Sequence, residues 1–419
     1  MTPSSFRNTH VIVRARFATR FVQVVALAVV LAGSSSPALR QPAGGLGAAP
    51  LERTAAGVER LFVRRLPLDR LDAQGLRAQP IAAGPISELD ATTAAAFGSA
   101  LDSARSQFGV YGVAFAMADA HGIRWTGASG TLRDTRTPLA TDTPQVIGSV
   151  TKTFVATLVL ELAQEGRISL DDQVTLHLPE ATVARGVTIR QLLSHTSGIA
   201  DLFSAEMNAL VDSDPEQVWT PEQVLATIGD AWFEPGKDWA YSNTNYLLLD
   251  MLVERLSGST LDEEIARRFG GPLDLPHTHT ITSAEAAKGL LQPSLATTFA
   301  GSGSMVSTPA ELARWGEALY GGDLLDDAML ASMLAFNDDN YGLGTQRVEV
   351  EKGLSGPGHS GLLGTSTTLL VHLPKQDVTL AIIANFSRAD LVGMLTHRSA
   401  GRPSLLDLAL GRTPLPATH

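Results

Sequence analysis

Two β-hairpins are predicted near opposite ends of the chain, and this placement constrains the fold more than any other feature. The runs Tyr111–Ala118 and Ile123–Ala128 flank one turn, and Ser366–Leu373 and Val378–Phe386 flank the other. All four runs are rich in the residues that strands favour. Between the hairpins, residues 187–330 show mostly helical periodicity, interrupted by Pro-Gly and Gly-Gly turns. The pattern predicts an α/β (α+β) fold, in which distant segments form one sheet and a helical insert packs against it.

Two further segments have the spacing of long helices. Thr93–Phe108 is made largely of good helix formers and is predicted to begin the ordered part of the chain. Lys152–Glu165 is strongly helical and is followed by Gly166, a residue typical of helix C-caps. Ser149 lies three residues before the first residue of this second helix.

The N-terminal residues have the pattern of a signal peptide. Four arginines precede the 13-residue apolar run Phe21–Gly33, and small residues follow it at Ser36-Pro37-Ala38. A transmembrane anchor is the alternative, but a span needs about 20 apolar residues. We therefore expect residues 1–38 to be a signal peptide, no stable membrane span after its cleavage, and a periplasmic or secreted protein.

The remaining boundaries follow from composition. Residues 39–91 are rich in Ala, Gly, Pro and Arg, with prolines that interrupt helical patterns, and are predicted to be a linker or loosely attached arm. Residues 92–400 are expected to form one hydrolase domain, and 401–419 a C-terminal tail.

Charge and cysteine content exclude several kinds of function. The formal net charge is −11, which disfavours nucleic acid and anionic lipid as partners because both would repel the surface. The chain has no cysteine, so thiol catalysis, thiolate metal ligation and disulfides are excluded. There is also no Gly-x-Ser-x-Gly, no His-Glu-x-x-His and no clustered metal ligands. We expect no cofactor and no metal.

The first candidate motif is Ser149-Val150-Thr151-Lys152, at the start of the second helix. Positions i and i+3 share a helix face, so the Ser149 hydroxyl and the Lys152 amine are predicted to meet. The positive end of the helix dipole favours a developing alkoxide there.

The second motif is Tyr241-Ser242-Asn243, which follows a Pro-Gly turn. In an extended segment residues i and i+2 point the same way, so Tyr241 and Asn243 are predicted to project into one cleft. A phenol can transfer a proton, and a carboxamide can hold a substrate amide by both its donor and its acceptor.

The third motif is His359-Ser360-Gly361, just before the C-terminal hairpin. A glycine on a strand edge lets a substrate backbone approach closely. His359 and Ser360 are candidates to contact a substrate carboxylate.

Together and in this order, the motifs resemble those of the serine β-lactamase and penicillin-binding-protein superfamily, and within it the class C β-lactamase/D-alanyl-D-alanine carboxypeptidase branch. The similar stretches cover about residues 92–390. They are VIGSVTKTFVATLVLELAQEGRISLDD, VTIRQLLSHTSGI, PGKDWAYSNTNYLLLDMLVERLSG, GSGSMVSTPAELARW, YGLG and GHSG. The resemblance implies a β-lactamase/transpeptidase-like fold with a five-stranded antiparallel sheet flanked by helices and an all-helical lobe. The sheet lobe would comprise about residues 92–150 and 300–400, and the helical lobe about 165–300.

The resemblance also implies roles for the motif residues. Ser149 would become acylated, Lys152 and Tyr241 would transfer protons, and Asn243 would orient the substrate. The backbone N–H groups of Ser149 and Leu362 would form the oxyanion hole.

The identity of the general base stays open between Lys152 and Tyr241. Their ordinary pKa values, about 10.4 and about 10, must fall by roughly three units for either group to act near neutrality. A cationic Lys152 would lower the pKa of the phenol, whereas a buried Lys152 would be neutral. We favour Tyr241 supported by Lys152, and we interpret His195, in the stretch SHTSG, as structural.

The third motif bears on the substrate, since class C β-lactamases usually carry Lys-Thr-Gly there. His-Ser-Gly is similar to the motifs of D-alanyl-D-alanine carboxypeptidases and D-aminopeptidases. A carboxypeptidase-like enzyme acting on peptidoglycan peptides is therefore predicted. An esterase, a D-aminopeptidase, a β-lactamase and a slow penicillin sensor are the alternatives. The expected partner is a small peptide, ester or β-lactam, and the expected state is a monomer.

Overall fold

A computed structural model describes residues 89–132, 137–399 and 401–412 of the 419-residue chain. The predicted signal peptide and nearly all of the predicted arm lie outside the described residues. The strands within them are β1 (Gly112–Asp119), β2 (Gly122–Gly130), β3 (Gln145–Val146), β4 (His279–Thr280), β5 (Met305–Ser307), β6 (Gln346–Glu351), β7 (Leu354–Leu363), β8 (Ser366–Leu373) and β9 (Val378–Ala384).

Six of these strands form one antiparallel sheet in the order β2-β1-β9-β8-β7-β6, and the other three form a small sheet in the order β3-β5-β4. Both predicted hairpins are confirmed as β1–β2 and β8–β9. The two hairpins join directly, since β1 pairs with β9 from Val113 opposite Ala384 to Ala118 opposite Thr379. Residues far apart in the chain thus lie side by side at the centre of the sheet.

The main sheet has one strand more than the five expected. The added edge strand is β6, which pairs with β7 across the turn Lys352-Gly353. Its residues Val348 and Val350 are buried while their neighbours are partly exposed. This alternation is the pattern of a half-buried edge strand, which the sequence analysis did not identify.

Fourteen α-helices lie in the described residues. They are α1 (Ala91–Phe108), α2 (Thr151–Gln164), α3 (Val174–His177), α4 (Ile189–Leu193), α5 (Ala205–Ser213), α6 (Pro221–Leu225), α7 (Thr244–Ser257), α8 (Leu261–Ile265), α9 (Ser283–Ala287), α10 (Pro293–Gly303), α11 (Pro309–Tyr320), α12 (Asp327–Met333), α13 (Leu391–Thr396) and α14 (Leu405–Ala409). Helix α5 belongs to a segment, Phe203–Ser213, that forms a unit apart from the other described residues.

The two long predicted helices are confirmed as α1 and α2. Helix α2 ends two residues before Gly166, the glycine predicted to cap it. Gly166 has a φ of 70°. Its N–H donates to Ala163 O, and the N–H of Arg167 donates to Leu162 O. This pair of hydrogen bonds is a Schellman motif, which satisfies the last carbonyl groups of the helix.

The hydrophobic core lies on both faces of the main sheet. In β9, Leu380 and Ile382 pack on one face with helices α1, α13 and α14, while Ala381 and Ile383 pack on the other with α2, α7 and α11. Such strands are apolar throughout because neither face meets water. No helix among the described residues has the length and apolar character needed to cross a membrane.

The predicted C-terminal tail needs a correction. Leu405 and Leu406 of α14 are buried in the core on the α1 face of the sheet. Two adjacent leucines in the short helix bury too much apolar surface to remain in solvent. Of the segment predicted as a tail, residues 401–412 are therefore part of the folded domain, and 413–419 lie outside the described residues.

Candidate active site

The candidate nucleophile lies where a turn of 3₁₀-helix, Gly148–Val150, leads into α2. Lys152 stands in the first turn of α2, and its Nζ is 3.2 Å from Ser149 Oγ. The predicted meeting of these two side chains is confirmed. The hydroxyl therefore lies beside both an amine and the positive end of a helix.

Lys152 is held by two carbonyl oxygens besides the serine. Its Nζ donates to Asn243 Oδ1 at 2.8 Å and to the backbone oxygen of Ser302 at 2.6 Å. Carbonyl oxygens can only accept, so each takes one N–H of the amine. A neutral amine has two N–H groups and one lone pair, and the lone pair is then left for the Ser149 hydroxyl.

Burial sets the protonation of this amine. Lys152 has no exposed surface. Burial lowers its pKa from its ordinary value to about 7, although the negative charge of Asp201 opposes the shift. Desolvation disfavours the charged form of any buried amine. Near neutral pH a substantial share of Lys152 is therefore unprotonated.

Tyr241 lies across the same amine, with its ring centroid 4.8 Å from Lys152 Nζ. Burial raises the pKa of its phenol well above the ordinary value, and the nearby Ser149 hydroxyl only partly offsets this. Tyr241 is thus a neutral phenol near neutrality. Burial thus favours Lys152 over Tyr241 as the proton acceptor, contrary to the expectation from the sequence, because burial favours the neutral form of both groups.

Asn243 is fixed at the N-cap of α7 by a carboxylate. Its backbone N–H donates to Asp201 Oδ1 at 2.9 Å, and its Nδ2 donates to Asp201 Oδ2 at 3.2 Å. The amide nitrogen is thereby turned toward Asp201 and the amide oxygen toward Lys152. One carboxylate decides which end of the amide meets the lysine.

His195 packs against the second motif, Tyr241-Ser242-Asn243. Its Nδ1 accepts from the backbone N–H of Ser242 at 3.2 Å and faces the side-chain amide of Asn245 at 3.1 Å. Its ring lies 4.2 Å from that of Tyr241, centroid to centroid. Burial holds its pKa well below the ordinary range, so the ring is neutral. These contacts are with the Tyr-Ser-Asn segment, in line with the structural interpretation.

Two glycines bring the third motif against the nucleophile. Gly148 has a φ of 53°, and a Cβ on it would lie 2.5 Å from Leu362 N. A Cβ on Gly361 would lie 2.0 Å from Ile147 O and 3.3 Å from Ser149 N. The backbone of β7 at Gly361 and Leu362 is therefore in contact with the turn that carries Ser149. Gly361 is needed for this internal contact, and not only for the approach of a substrate as expected.

The end of β7 beside these groups has a neighbouring strand on one side only, although side chains bond both backbone groups of Ser360 there. β6 pairs with β7 only as far as Gly358, whereas β8 pairs with it through Leu363. Within the described chain, the residues of β7 after Gly358 are thus paired on one side only. Leu362 is 41% exposed there.

His359 does not present a charge to this edge. Its side chain is fully buried. Its Nδ1 donates to Ser360 O at 2.6 Å, so a neutral ring must accept at Nε2 from the Tyr341 hydroxyl, 3.1 Å away. Burial lowers its pKa to about 3. The expected contact between this side chain and a substrate carboxylate is therefore corrected: the ring is neutral and both nitrogens are already bonded.

The hydroxyl proton of Ser360 is likewise engaged in a hydrogen bond within the protein. Its hydroxyl donates to Gln346 Oε1 at 3.0 Å, and its backbone N–H donates to the same oxygen at 3.0 Å. The hydroxyl oxygen keeps lone pairs, which suit a substrate N–H better than a carboxylate.

Four residues that order this site were missed by the sequence analysis: Asp201, Ser302, Tyr341 and Gln346. Three of them lie in or beside stretches that carry the resemblance, namely SHTSGI, GSGSM and YGLG. Gln346 had no such signal. Within the described residues, no group of three or more His, Asp or Glu side chains is placed to hold a metal ion.

Comparison with protein families gives a match over most of the described chain. The family model described as Beta-lactamase matches residues 89–398. Penicillin-binding protein 4 of Amycolatopsis lactamdurans is 35% identical over 195 residues, covering 43% of this chain and 47% of that protein. Protein flp of Staphylococcus aureus (strain N315) is 31% identical over 151 residues, covering 35% of this chain and 30% of that protein. The matched segment spans less than half of either curated relative.

Solved structures share the fold over a larger part of the chain. The D-stereospecific amidohydrolase from Streptomyces sp. is 29% identical with a TM-score of 0.62, covering 74% of this chain and 99% of its own. The octameric penicillin-binding protein homologue from Pyrococcus abyssi is 24% identical with a TM-score of 0.64, covering 78% of both chains. At that identity the second likeness concerns the fold alone. The predicted β-lactamase/transpeptidase-like fold is confirmed.

Proposed function

Because the chain belongs to the beta-lactamase family of serine hydrolases, we propose that it cleaves an amide or ester bond through an acyl-enzyme on Ser149. The observation that carries this proposal is the hydrogen bonding of Lys152. Asn243 Oδ1 and Ser302 O accept the two N–H groups of the neutral amine. Its lone pair is then left to accept the hydroxyl proton of Ser149.

In the acylation step, Ser149 Oγ attacks the substrate carbonyl carbon while its proton passes to Lys152 Nζ. The backbone N–H groups of Ser149 and Leu362 donate to the oxyanion that forms. The bond to the leaving group then breaks, and the departing nitrogen or oxygen takes a proton from the neutral phenol of Tyr241. Lys152 then passes the proton taken from Ser149 to the Tyr241 phenolate, which restores both groups. Water, activated by the same groups, finally hydrolyses the acyl-serine.

For the substrate we propose an amide or peptide of a D-amino acid whose group near the third motif is uncharged. The neutral His359 offers no cation to a carboxylate. Ser360 offers an acceptor to an N–H. The name of the Streptomyces structure, a D-stereospecific amidohydrolase, points to the same class.

The second candidate is the D-alanyl-D-alanine carboxypeptidase reaction predicted from the sequence. Beyond Ser360, β7 has no strand partner opposite β8 among the described residues, and this short edge favours a peptide substrate that pairs with its backbone. The similarity to Penicillin-binding protein 4 also supports this candidate. An ester, a β-lactam or a slow penicillin sensor remain outcomes of the test.

Mass spectrometry of the intact protein after exposure to a penicillin, D-phenylalanine amide, a diacyl-D-Ala-D-Ala peptide and p-nitrophenyl butyrate tests both candidates. We expect an acyl adduct on the wild type and none on Ser149→Ala. Faster turnover of the D-amide than of the free-carboxylate peptide supports the first candidate, and the reverse order supports the second. Equal labelling of Ser149→Ala contradicts the mechanism.

We also propose that the protein is exported through residues 1–38, acts as a monomer and uses no nucleic-acid partner or cofactor. The apolar N-terminal run supports export, and the net charge of −11 argues against a nucleic-acid partner. N-terminal sequencing of the exported protein and light scattering at known concentration test them. An exported protein that still begins at residue 1 contradicts cleavage of the signal peptide. A mass of more than one chain contradicts the monomeric state.

A further inference from the structure

We propose that Asp250 is a positioning residue, which holds the Ser302 carbonyl where it takes one N–H of Lys152 and so aims the amine at Ser149. The inference rests on the proposed function of Lys152 as the base. Asp250 lies outside all three motifs, and the mechanism above does not use it.

Asp250 occupies the same face of α7 as the site residues. Asn243, Tyr246 and Asp250 are spaced i, i+3 and i+7, which places them in one stripe along the helix. Asn243 bonds Lys152 Nζ, and the ring of Tyr246 lies 5.3 Å from the same atom. The last member of the stripe is thus directed toward the same side of the helix, two turns further on.

At that point α7 packs tightly against α10. The Asp250 Oδ2 accepts from the backbone N–H of Gly301 at 2.9 Å. A Cβ on Gly301 would lie 2.7 Å from Asp250 Cβ, so only glycine fits there. The carboxyl is buried, with 8% of the residue exposed. A buried carboxyl group that accepts one backbone N–H in this way is a firm local anchor.

The anchored backbone is strained. Ala300, just before Gly301, has φ 31° and ψ −125°, which interrupts α10. Backbone in such sparsely populated regions persists only where its surroundings hold it, and it is common at active sites. The residue that follows Gly301 is Ser302, whose carbonyl accepts from Lys152 at 2.6 Å. The Asp250 bond therefore fixes the segment that supplies one of the two oxygens orienting the amine.

The role does not depend on the titration of Asp250. Burial and the charge of Glu254 raise its pKa to about 7, while the Gly301 N–H opposes the shift. Both the ionised and the protonated carboxyl can accept the Gly301 N–H. The groups that act on Lys152 or face it are Asp201, Tyr241, Tyr246, His195 and His359, and each is unchanged by substitution at 250.

The test compares Asp250→Ala and Asp250→Asn in the full chain, with p-nitrophenyl butyrate as substrate between about pH 5 and pH 9. Without the anchor, Asp250→Ala should lower kcat/KM by about tenfold to a hundredfold. The acid limb of its pH profile should move down by about one pH unit, because the ammonium loses an oxygen acceptor. Asn keeps an acceptor for Gly301, so Asp250→Asn should stay within about threefold of wild type with an unmoved acid limb.

Glu317→Gln is the matched control, since Glu317 is a fully buried carboxylate on α11 that bonds Thr379 and His372 away from Lys152. It should lower the melting temperature but leave the acid limb in place. Asp250→Leu, of similar size and without an acceptor, replaces Asp250→Ala if the latter does not fold.

The proposal is overturned if the acid limb of Asp250→Ala, or of its substitute Asp250→Leu, stays in place or moves to higher pH. It is also overturned if Asp250→Asn loses as much kcat/KM as the acceptor-free variant. A wild type that forms no Ser149 adduct instead overturns the proposed function. The two failures are thus distinguishable.

Discussion

At the scale of single residues, one physical effect assigns the chemistry of the site. Desolvation lowers the pKa of an amine and raises that of a phenol. Lys152 and Tyr241 are buried side by side, so burial lowers the pKa of the amine and raises that of the phenol. This opposite effect of burial is what leads us to propose Lys152 as the base and Tyr241 as the acid.

The first prediction concerns the pH dependence of acylation. Lys152 can accept the serine proton only when neutral, so kcat/KM should rise with pH and level off above a midpoint near 7. The profile is measured with p-nitrophenyl butyrate, and Ser149→Ala provides the background rate. A midpoint near the ordinary lysine value of about 10.4 would show that the amine is not desolvated.

A second prediction separates the two proton carriers. Tyr241→Phe removes the acid that we assign to the leaving group, so D-phenylalanine amide hydrolysis should fall by about a hundredfold or more. Hydrolysis of p-nitrophenyl butyrate should change much less, because p-nitrophenolate departs without a proton. Equal losses on both substrates would instead place Tyr241 in the attack step.

At the scale of elements, the site depends on the contact between strand β7 and the turn that carries the nucleophile. Gly148 lies against the backbone of Gly361 and Leu362, and Gly361 lies against the backbone of Ile147 and Ser149. The glycine of the third motif is therefore a packing residue as well as a feature of the strand edge.

The third prediction tests this contact. A methyl group on Gly361 would lie 2.0 Å from Ile147 O, so Gly361→Ala should separate β7 from the turn. We expect a loss of about a hundredfold in kcat/KM, the size seen when an oxyanion donor is misplaced. Steady-state kinetics with p-nitrophenyl butyrate measures it.

Gly98→Ala is the matched control, because a methyl group there meets nothing within 4 Å and the residue lies inside α1. It should leave kcat/KM unchanged and stabilise the fold by about 0.5–1 kcal/mol. A loss of activity in both variants would mean that the β7 contact has no special part in catalysis.

At the scale of the whole molecule, the sheet is covered by helices on both faces, and the C-terminal helix completes one cover. Leu405 packs there with no exposed surface, among residues of α1 and α13. The end of the described chain is thus joined to its beginning through the core, far from the candidate nucleophile in sequence.

The fourth prediction follows from this arrangement. Leu405→Ala should lower the free energy of unfolding by about 2–5 kcal/mol, since it deletes buried methyl groups and leaves a cavity. Leu176→Ala, at a residue 68% exposed, should change it by no more than about 0.5 kcal/mol. Urea titration followed by fluorescence measures both, and similar values for the two would contradict the burial of α14.

The sequence by itself predicted the two hairpins, helices α1 and α2, the fold and the meeting of Ser149 with Lys152. These features depend on local periodicity or on short spacing along one helix, which a chain displays without its tertiary contacts. The resemblance to the superfamily also implied that the three motifs meet at one site. Export, the signal peptide and the exact substrate stay predictions.

Only the tertiary structure shows that Lys152 and Tyr241 are buried side by side, which way Asn243 points and that His359 is fully buried. Each depends on burial or on a partner distant in sequence: Asp201 for Asn243, Ser302 for Lys152 and Tyr341 for His359. Edge strand β6 and helix α14 were likewise found only in the fold. A short segment can be read as a strand, a helix or a tail until the surface that covers it is known, because packing and not propensity stabilises it.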